Sequence, residues 1–358
     1  MNKLRDLTVL ISAAGSPSAP GSFACYRSNG ERNIRIVGMD MSEDPSIPYM
    51  VDVFYKVPAA TADNYCDIVL DICKREKVDV YLPTISAEVG AVATRLDEFE
   101  ALGVKVSVSN MESVEISNNK LHTYQALERA GIPVPRYCGV HSVEEFVEGC
   151  KYMGYPDNPV CIKIVNGSGS RGVRIIDAKK SRYEIYAYEK PNSFYTSYDD
   201  MLSLLKSAPK LEEMMLLEVM HGPEFTVDLL ADHGEVLYEV GRENVVSLMS
   251  IAQESVLKYD ELAYKVSADV VKLLMMDGNV GFDFMRNERE EAVLMDINPR
   301  LTATVSVIAA GGVNLPYLRI KQLLGEQLPK CEPVYGTRIK RRYGEYYSAP
   351  DGSQIFLK

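Results

Sequence analysis

Apolar residues in the first third of the chain come in short runs separated by longer amphipathic stretches. Residues 8–13, 34–39, 78–82 and 104–108 are rich in β-branched side chains and too short for helices, so each reads as a strand. Between the later runs, residues 61–77 carry Ile68, Ile72 and Cys73 on one helical face. Residues 87–102 form a second amphipathic stretch, closed by Gly103 as a C-cap. Strands alternating with helices predict a parallel sheet covered on both faces. Residues 113–135 read as a helix followed by Gly131 and the stiff run Ile132, Pro133, Val134, Pro135. Prolines at alternate positions cannot continue a helix and favour extended backbone, which marks a linker. A helix over 142–153 and a strand over 160–165 then lead into a glycine-rich loop. Residues 175–210 are polar and tyrosine-rich, with no clear period. Residues 214–300 alternate β-like runs with one long predicted helix, 255–276.

Composition narrows the classes. A chain of 358 residues holds two or three domains of about 100–150 residues each. Hydrophobic residues at 46% suffice for a core, and a charged fraction of 25% is ordinary for a globular protein. The net charge of −11 argues against a nucleic-acid partner, because phosphate backbones demand a basic surface. Any phosphate site must therefore be a local concentration of Lys and Arg. The seven cysteines show no C-x-x-C spacing and read as reduced thiols. The apolar run at 7–14 is interrupted by Thr8 and Ser12, a buried first strand rather than a signal peptide. No stretch approaches the ~20 apolar residues of a membrane span. A soluble, cytoplasmic protein with no membrane partner is expected.

The first strand runs into Gly15, Ser16 and Pro17 and the second ends at Asp40, which resembles a Rossmann half. The G-x-G-x-x-G fingerprint is absent, so a doubly wound scaffold is the better reading than a dinucleotide site. Three later segments carry chemistry. In residues 161–173 (CIKIVNGSGSRGV), a strand containing Lys163 enters a loop with Gly167, Ser168, Gly169 and Ser170. Small residues let backbone amides approach an anion, and hydroxyls add donors, so a hairpin folded over phosphates fits. No Gly-Lys-Ser/Thr closes it, which excludes a Walker A loop. In residues 281–286 (GFDFMR) and 293–298 (VLMDIN), the period of two sets Asp283 apart from its flanking phenylalanines and puts Asp296 and Asn298 on one face. A hairpin with an even-numbered connection would set Asp283 opposite Asp296, with Cβ atoms ~5 Å apart. Two carboxylates that close repel, and either a divalent cation between them or pairing of an Asp with Lys or Arg at a sheet edge resolves the conflict. The all-oxygen set of Asp283, Asp296 and the Asn298 amide suits Mg²⁺ or Mn²⁺. In residues 216–228 (LLEVMHGPEFTVD), an apolar strand ends at Glu218, turns at Gly222 and Pro223, and re-enters a strand. Such a hinge can meet an adenine edge, with Glu224 on ribose hydroxyls, or be a hairpin with surface carboxylates.

In this order the three segments resemble the ATP-grasp superfamily, and within it the group similar to one half of the carbamoyl-phosphate synthase large subunit. The resemblance implies an α/β and α+β fold. A Rossmann-like pre-ATP-grasp domain over 1–112 would precede a two-part ATP-grasp domain, with a central subdomain over 113–213 and a C-terminal one over 214–358. It implies that Lys120 and Lys163 meet the phosphates of ATP, and that residues 166–172, with Ser168, Gly169 and Ser170, form a lid. Glu218, Val219 and Met220 would be the adenine hinge and Glu224 the ribose ligand. Asp283, Asp296 and Asn298 would hold the metal, and Arg300 would stabilise the transferred phosphoryl group. The family's metal carboxylates are commonly glutamates, whereas both are aspartates here.

The activity so implied is Mg·ATP-dependent phosphorylation of a small carboxylate to an acyl-phosphate, then coupling to an amine or similar nucleophile. Phosphoryl transfer needs positioning and positive charge rather than a protein nucleophile, and no triad is visible. Two alternatives remain open. One is a carbamoyl-phosphate-synthase-like half enzyme acting on bicarbonate or carbamate, with a partner or as a homodimer. The other is a nucleotide-binding regulatory subunit. Substrate choice is expected from the N-terminal domain, where Glu88 would meet a substrate amine or serve as a first-turn helix acid. The basic stretch 337–347 reads as an edge strand protected by charge, or as an anion-binding element.

Overall fold

A computed structural model describes residues 4–167, 169–190, 193–248, 251–287, 289–342, 344–351 and 353–355. The chain packs as two compact units. The first joins residues 1–115, 224–283 and 297–358; the second joins 116–223 and 284–296.

The N-terminal part runs β1 (Leu7–Ile11), α1 (Ala19–Arg27), β2 (Ile34–Asp40), β3 (Val53–Lys56), α2 (Tyr65–Glu76), β4 (Val80–Leu82), α3 (Ser86–Ala93), α4 (Leu96–Ala101) and β5 (Lys105–Val106). These strands form one parallel sheet in the order β3-β2-β1-β4-β5. One sheet face packs Val9, Ile11, Ile36 and Val80 with α1; the other packs Leu10, Val37, Met39 and Tyr81 with α2 and Phe99. Strands apolar on both faces account for the unbroken Val/Ile runs in the sequence. The predicted helix over 87–102 is two helices, broken at Thr94 and Arg95. Arg95 instead pairs with Asp67 at 2.7 Å and Glu98 at 2.5 Å.

Next come α5 (Met111–Asn118), α6 (Lys120–Arg129), β6 (Tyr137–Val140), α7 (Val143–Met153), β7 (Val160–Ile164), β8 (Arg174–Ile176), α8 (Arg182–Tyr188), β9 (Tyr195–Thr196), α9 (Tyr198–Ser207) and β10 (Met214–Glu218). The sheet order is β6-β10-β7-β8-β9. Ser142 caps α7 by accepting the Glu145 N–H at 3.1 Å, and Gly154 ends it at φ +90°, as the sequence signals predict.

The remaining elements are β11 (His221–Asp232), β12 (Glu235–Leu248), β13 (Ile251–Leu257), α10 (Glu261–Leu273), β14 (Gly278–Arg286), β15 (Ala292–Asn298), α11 (Val305–Ala310), α12 (Leu315–Leu323) and β16 (Arg338–Lys340). Their sheet runs β15-β14-β11-β12-β13-β16. The helix predicted over 255–276 begins only at Glu261. Residues 255–257 instead extend β13 along β12, and Asp260 caps α10 by accepting the Ala263 N–H at 3.0 Å. The basic tail is an edge strand: β16 pairs with β13, and Lys340 meets Glu254 at 2.7 Å. All seven cysteines are free thiols, and no described helix is long and apolar enough to cross a membrane.

Candidate functional site

Strand β11 already begins at His221, so Gly222 and Pro223 lie within it rather than in the expected turn, and it carries Glu224, Thr226 and Asp228 on one face, as a period of two requires. In the first unit these three residues start a polar network. Glu224 lies opposite Asn244 in the β11–β12 register, and the Asn244 amide donates to its carboxylate. The same amide donates to Thr226 Oγ1 at 3.1 Å. Thr226 in turn donates to Asp283 Oδ1 at 2.7 Å, and Asn298 Nδ2 donates to Asp283 Oδ2 at 3.1 Å. Arg300 follows: Nη2 donates to Asn298 Oδ1 at 3.2 Å, Nη1 to the Leu301 carbonyl at 2.8 Å and Nε to Ser86 Oγ at 3.4 Å. Four predicted site residues of this unit, Glu224, Asp283, Asn298 and Arg300, thus lie on one chain of contacts.

A buried ion pair lies under that chain. Asp228 and Arg242 meet at 2.7 Å with side chains 3% and 4% exposed. Asp228 also accepts from Thr302 at 2.5 Å, and Arg242 donates to Asn244 Oδ1. The pair is therefore satisfied by hydrogen bonds, the condition under which buried charge is tolerated. Arg341, from the basic tail, donates to the Ala303 carbonyl at 2.6 Å and the Ala252 carbonyl at 3.0 Å. Burial and the nearby Arg242 charge hold its pKa below the usual guanidinium value. Thr226, Asp228, Arg242 and Asn244 escaped the sequence reading as site residues. The alternation from Glu224 through Thr226 to Asp228 is the signal that marks the first two.

The second unit positions the lysines. Asn119 caps α6 by accepting the His122 N–H at 2.9 Å, which makes Lys120 its first residue. Lys120 Nζ donates to the Gly167 carbonyl at 3.0 Å and pairs with Asp296 Oδ1 at 3.2 Å. Tyr124, one turn on, donates to the Met295 carbonyl at 2.9 Å, fixing the helix against the strand that carries Asp296. Lys163 is half-buried in β7, opposite Met215 of β10. The loop after β7 turns through Gly169 (φ +61°), Ser170 (φ +59°) and Gly172 (φ +70°); Ser168 lies outside the described residues. A Cβ at Gly172 would sit 2.5 Å from Ile164 Cδ1, so the loop folds back tightly onto its own strand. Glu218 ends β10, its carboxylate accepting the Arg136 N–H at 2.8 Å, and Val219 and Met220 are half-buried in the connection to β11.

The residue set is hard oxygen donors and ammonium or guanidinium groups, the inventory of a phosphate and divalent-cation site. Glu88, by contrast, is fully buried and bonded to hydroxyls and amides, so it does not meet a substrate amine.

A parallel five-stranded sheet followed by a mixed five-stranded sheet and a six-stranded one is the fold of the ATP-grasp structures that this chain superposes on. Over most of its length the chain is similar to part of the carbamoyl phosphate synthase large chain. Residues 210–343 match the family described as ATP-grasp in the biosynthetic pathway with Ter operon, and residues 10–107 match the PylC-like N-terminal domain. The carbamoyl phosphate synthase large chain of Methanobrevibacter smithii is 24% identical over 275 residues, covering 76% of this chain and 25% of that one. The chain thus spans about a quarter of the length of the curated relatives it matches first. Among solved structures, N5-carboxyaminoimidazole synthetase from Staphylococcus aureus complexed with ADP superposes with a TM-score of 0.68 at 14% identity, covering 93% of this chain and 82% of that one. The biotin carboxylase domain of Hydrogenobacter thermophilus 2-oxoglutarate carboxylase, in complex with MgADP, ADP and bicarbonate, gives 0.64 at 19%, covering 92% and 72%.

Proposed function

We propose that this protein is an ADP-forming ligase that phosphorylates a small carboxylate with Mg·ATP and couples the acyl-phosphate to an amine or similar nucleophile. The observation that carries the reading is the chain of contacts from Thr226 through Asp283 and Asn298 to Arg300. It links a carboxylate suited to a cation to a guanidinium suited to a phosphoryl group. The donor set fits the metal: Asp283 and Asp296 meet hydroxyl, amide and ammonium donors, and hard oxygens are the ligands Mg²⁺ or Mn²⁺ takes. For Asn298 to join them, its amide must turn to present Oδ1 where Nδ2 now meets Asp283. The bound metal would neutralise charge on the nucleotide phosphates.

Lys120 and Lys163 bind those phosphates as point charges, and Glu224 accepts from the ribose hydroxyls. Glu218, Val219 and Met220 border the adenine. The loop with Ser168, Gly169 and Ser170 covers the phosphates and excludes water from a labile acyl-phosphate. Arg300 stabilises the three equatorial oxygens as the γ-phosphoryl passes to the carboxylate, and the nucleophile then expels phosphate.

A screen of carboxylic acids crossed with amines, read by ADP release, tests the reading. With the true acid, ¹⁸O in its carboxylate appears in the released phosphate. AMP and pyrophosphate as products, or unlabelled phosphate, would overturn the mechanism. The similarity to the carbamoyl phosphate synthase large chain supports a second reading, bicarbonate as the phosphoryl acceptor, which bicarbonate-stimulated ADP release identifies.

A further inference from the structure

Glu88 is a carboxylate with no exposed surface and no place in the chemistry described above. It sits in the first turn of α3, beyond the C-terminal end of β4. Its Oε2 accepts from Ser12 Oγ and from the Thr84 and Ile85 amides at 3.2 and 3.4 Å; its Oε1 accepts from the Tyr65 hydroxyl at 2.5 Å and from the Tyr81 hydroxyl. Ser12, Tyr65 and Tyr81 are themselves 3%, 2% and 0% exposed. Thr84 is tied a second time, its amide donating to Ser12 Oγ at 2.9 Å and its hydroxyl to the Ser12 carbonyl at 2.9 Å.

A plain helix acid needs only the amides of its own first turn. Here one buried carboxylate gathers the end of β1 through Ser12, the end of β4 through Tyr81, the start of α2 through Tyr65 and the turn into α3. So many hydrogen bonds to one desolvated carboxyl group leave that turn little freedom, since losing any of them strands a buried polar group. The next residue after the clamped turn is Ser86, and Ser86 Oγ stands 3.4 Å from Arg300 Nε. Arg300's contacts with Asn298 Oδ1 and the Leu301 carbonyl lie within two residues of it in sequence. Ser86 reaches the guanidinium from a distant part of the chain.

We infer that Glu88 is a positioning residue for Arg300, acting through the 84–86 turn and the Ser86 hydroxyl. The inference rests on the role given to Arg300 above. It makes the N-terminal sheet part of the phosphoryl-transfer machinery: the guanidinium is aimed by a turn locked 212 positions earlier in the chain, counting from Glu88 to Arg300 (300 − 88). Small misplacements of such a group slow transfer far more than they weaken binding.

The test uses the full chain with Mg·ATP alone as the probe, measuring ADP release, together with the ¹⁵Nε signal of Arg300 assigned by its loss in Arg300→Lys. Ser86→Ala, which leaves the buried cluster untouched, is expected to lower kcat roughly tenfold with KM for Mg·ATP within about twofold, and to move the Nε signal. Ser86→Thr, which keeps the hydroxyl, restores both. Glu88→Gln moves the same signal without touching Arg300 directly. Ser86→Ala combined with Arg300→Ala is no slower than Arg300→Ala alone, because the serine acts only through the arginine. An unmoved Nε signal in Ser86→Ala, or losses that multiply in the double variant, overturns the inference. If Glu88→Gln fails to fold, the serine variants decide. If the wild-type chain releases no ADP from Mg·ATP alone, the Nε signal decides whether Glu88 and Ser86 hold the arginine, while the proposed function stands or falls on the screen of acids and amines.

Discussion

Glu239 on β12 shows what burial does to a single group. Its Oε2 is buried and has no hydrogen-bond partner among the described residues, and desolvation pushes its pKa up to about 7 from an ordinary value of 4.5. The folded-state value lies above the unfolded one. The stability contributed by the protonated form is therefore full below about pH 4.5 and is lost as pH rises through about 7. Glu239→Gln keeps the shape and removes the ionisation. Its melting temperature should exceed the wild type's by about 2 °C at pH 8 and show no gain at pH 4; equal curves at both pH values would mean the carboxylate is solvated. Lys163 gives a second test at this scale. Lys163→Met should weaken ADP binding by about 10- to 100-fold in calorimetry, the range for one lost charge-assisted hydrogen bond. Unchanged affinity would make Lys163 an ordinary strand residue. Spacing singled out Lys163, Asp283, Asp296 and Asn298 as candidates, and the family resemblance added Lys120 and Arg300. The setting of Glu88 was not legible, because Ser12 and Tyr65 reach it from 76 and 23 residues away, and no local pattern encodes that meeting.

Elements were legible where burial was one-sided or complete. The runs that became β1, β2 and β7 stood out because both faces are apolar, whereas β3 was missed. Its residues Val53, Phe54 and Tyr55 are only half-buried and Lys56 is exposed, so no run of core residues marks it at the sheet edge. The long helix expected over 255–276 failed at its start, since Val256 and Leu257 suit either a helix face or a β-strand until Asp260 caps α10. The connection between β14 and β15 is closed by the Asn287 N–H on the Glu291 carbonyl at 3.4 Å. Three residues lie between that pair, not the even number on which the expected facing of Asp283 and Asp296 was counted. Close approach of elements also makes a prediction. A Cβ on Gly281 of β14 would lie 2.1 Å from Thr302 Cγ2 and 3.3 Å from Asp228 Oδ1. Gly281→Ala must therefore displace Thr302 from the buried Asp228–Arg242 pair, and should cost about 2–3 kcal/mol in denaturant unfolding. A loss below about 0.5 kcal/mol would mean the strand has room to shift.

At the scale of the whole molecule, one substrate can be tested without knowing the other. The chain and its solved neighbours share the ATP-grasp fold, and two of those neighbours hold ADP. A co-substrate is chosen by a minority of side chains rather than by the fold. Nucleotide binding, however, must appear as stability, since a ligand that binds only the folded state raises unfolding free energy by RT ln(1 + [L]/Kd), about 2.7 kcal/mol at a hundredfold excess over Kd. For a chain of this size that is a rise of about 5 °C in melting temperature. Mg·ADP should produce it, and chelating the metal with EDTA should remove most of it if the proposed carboxylates hold the cation, because carboxylates and phosphates repel without one. Asp296→Asn should lose the metal-dependent part, while the free protein gives up only the part-exposed Lys120–Asp296 pair and changes its own melting temperature by about 2 °C or less. Lys163→Met should lower the shift at every ADP concentration, with or without metal. A shift equal in Mg²⁺ and EDTA would remove the aspartates from the metal shell and leave a nucleotide site held by lysines alone. No shift at any ADP concentration would withdraw the nucleotide reading itself, and with it the ligase assignment that depends on it.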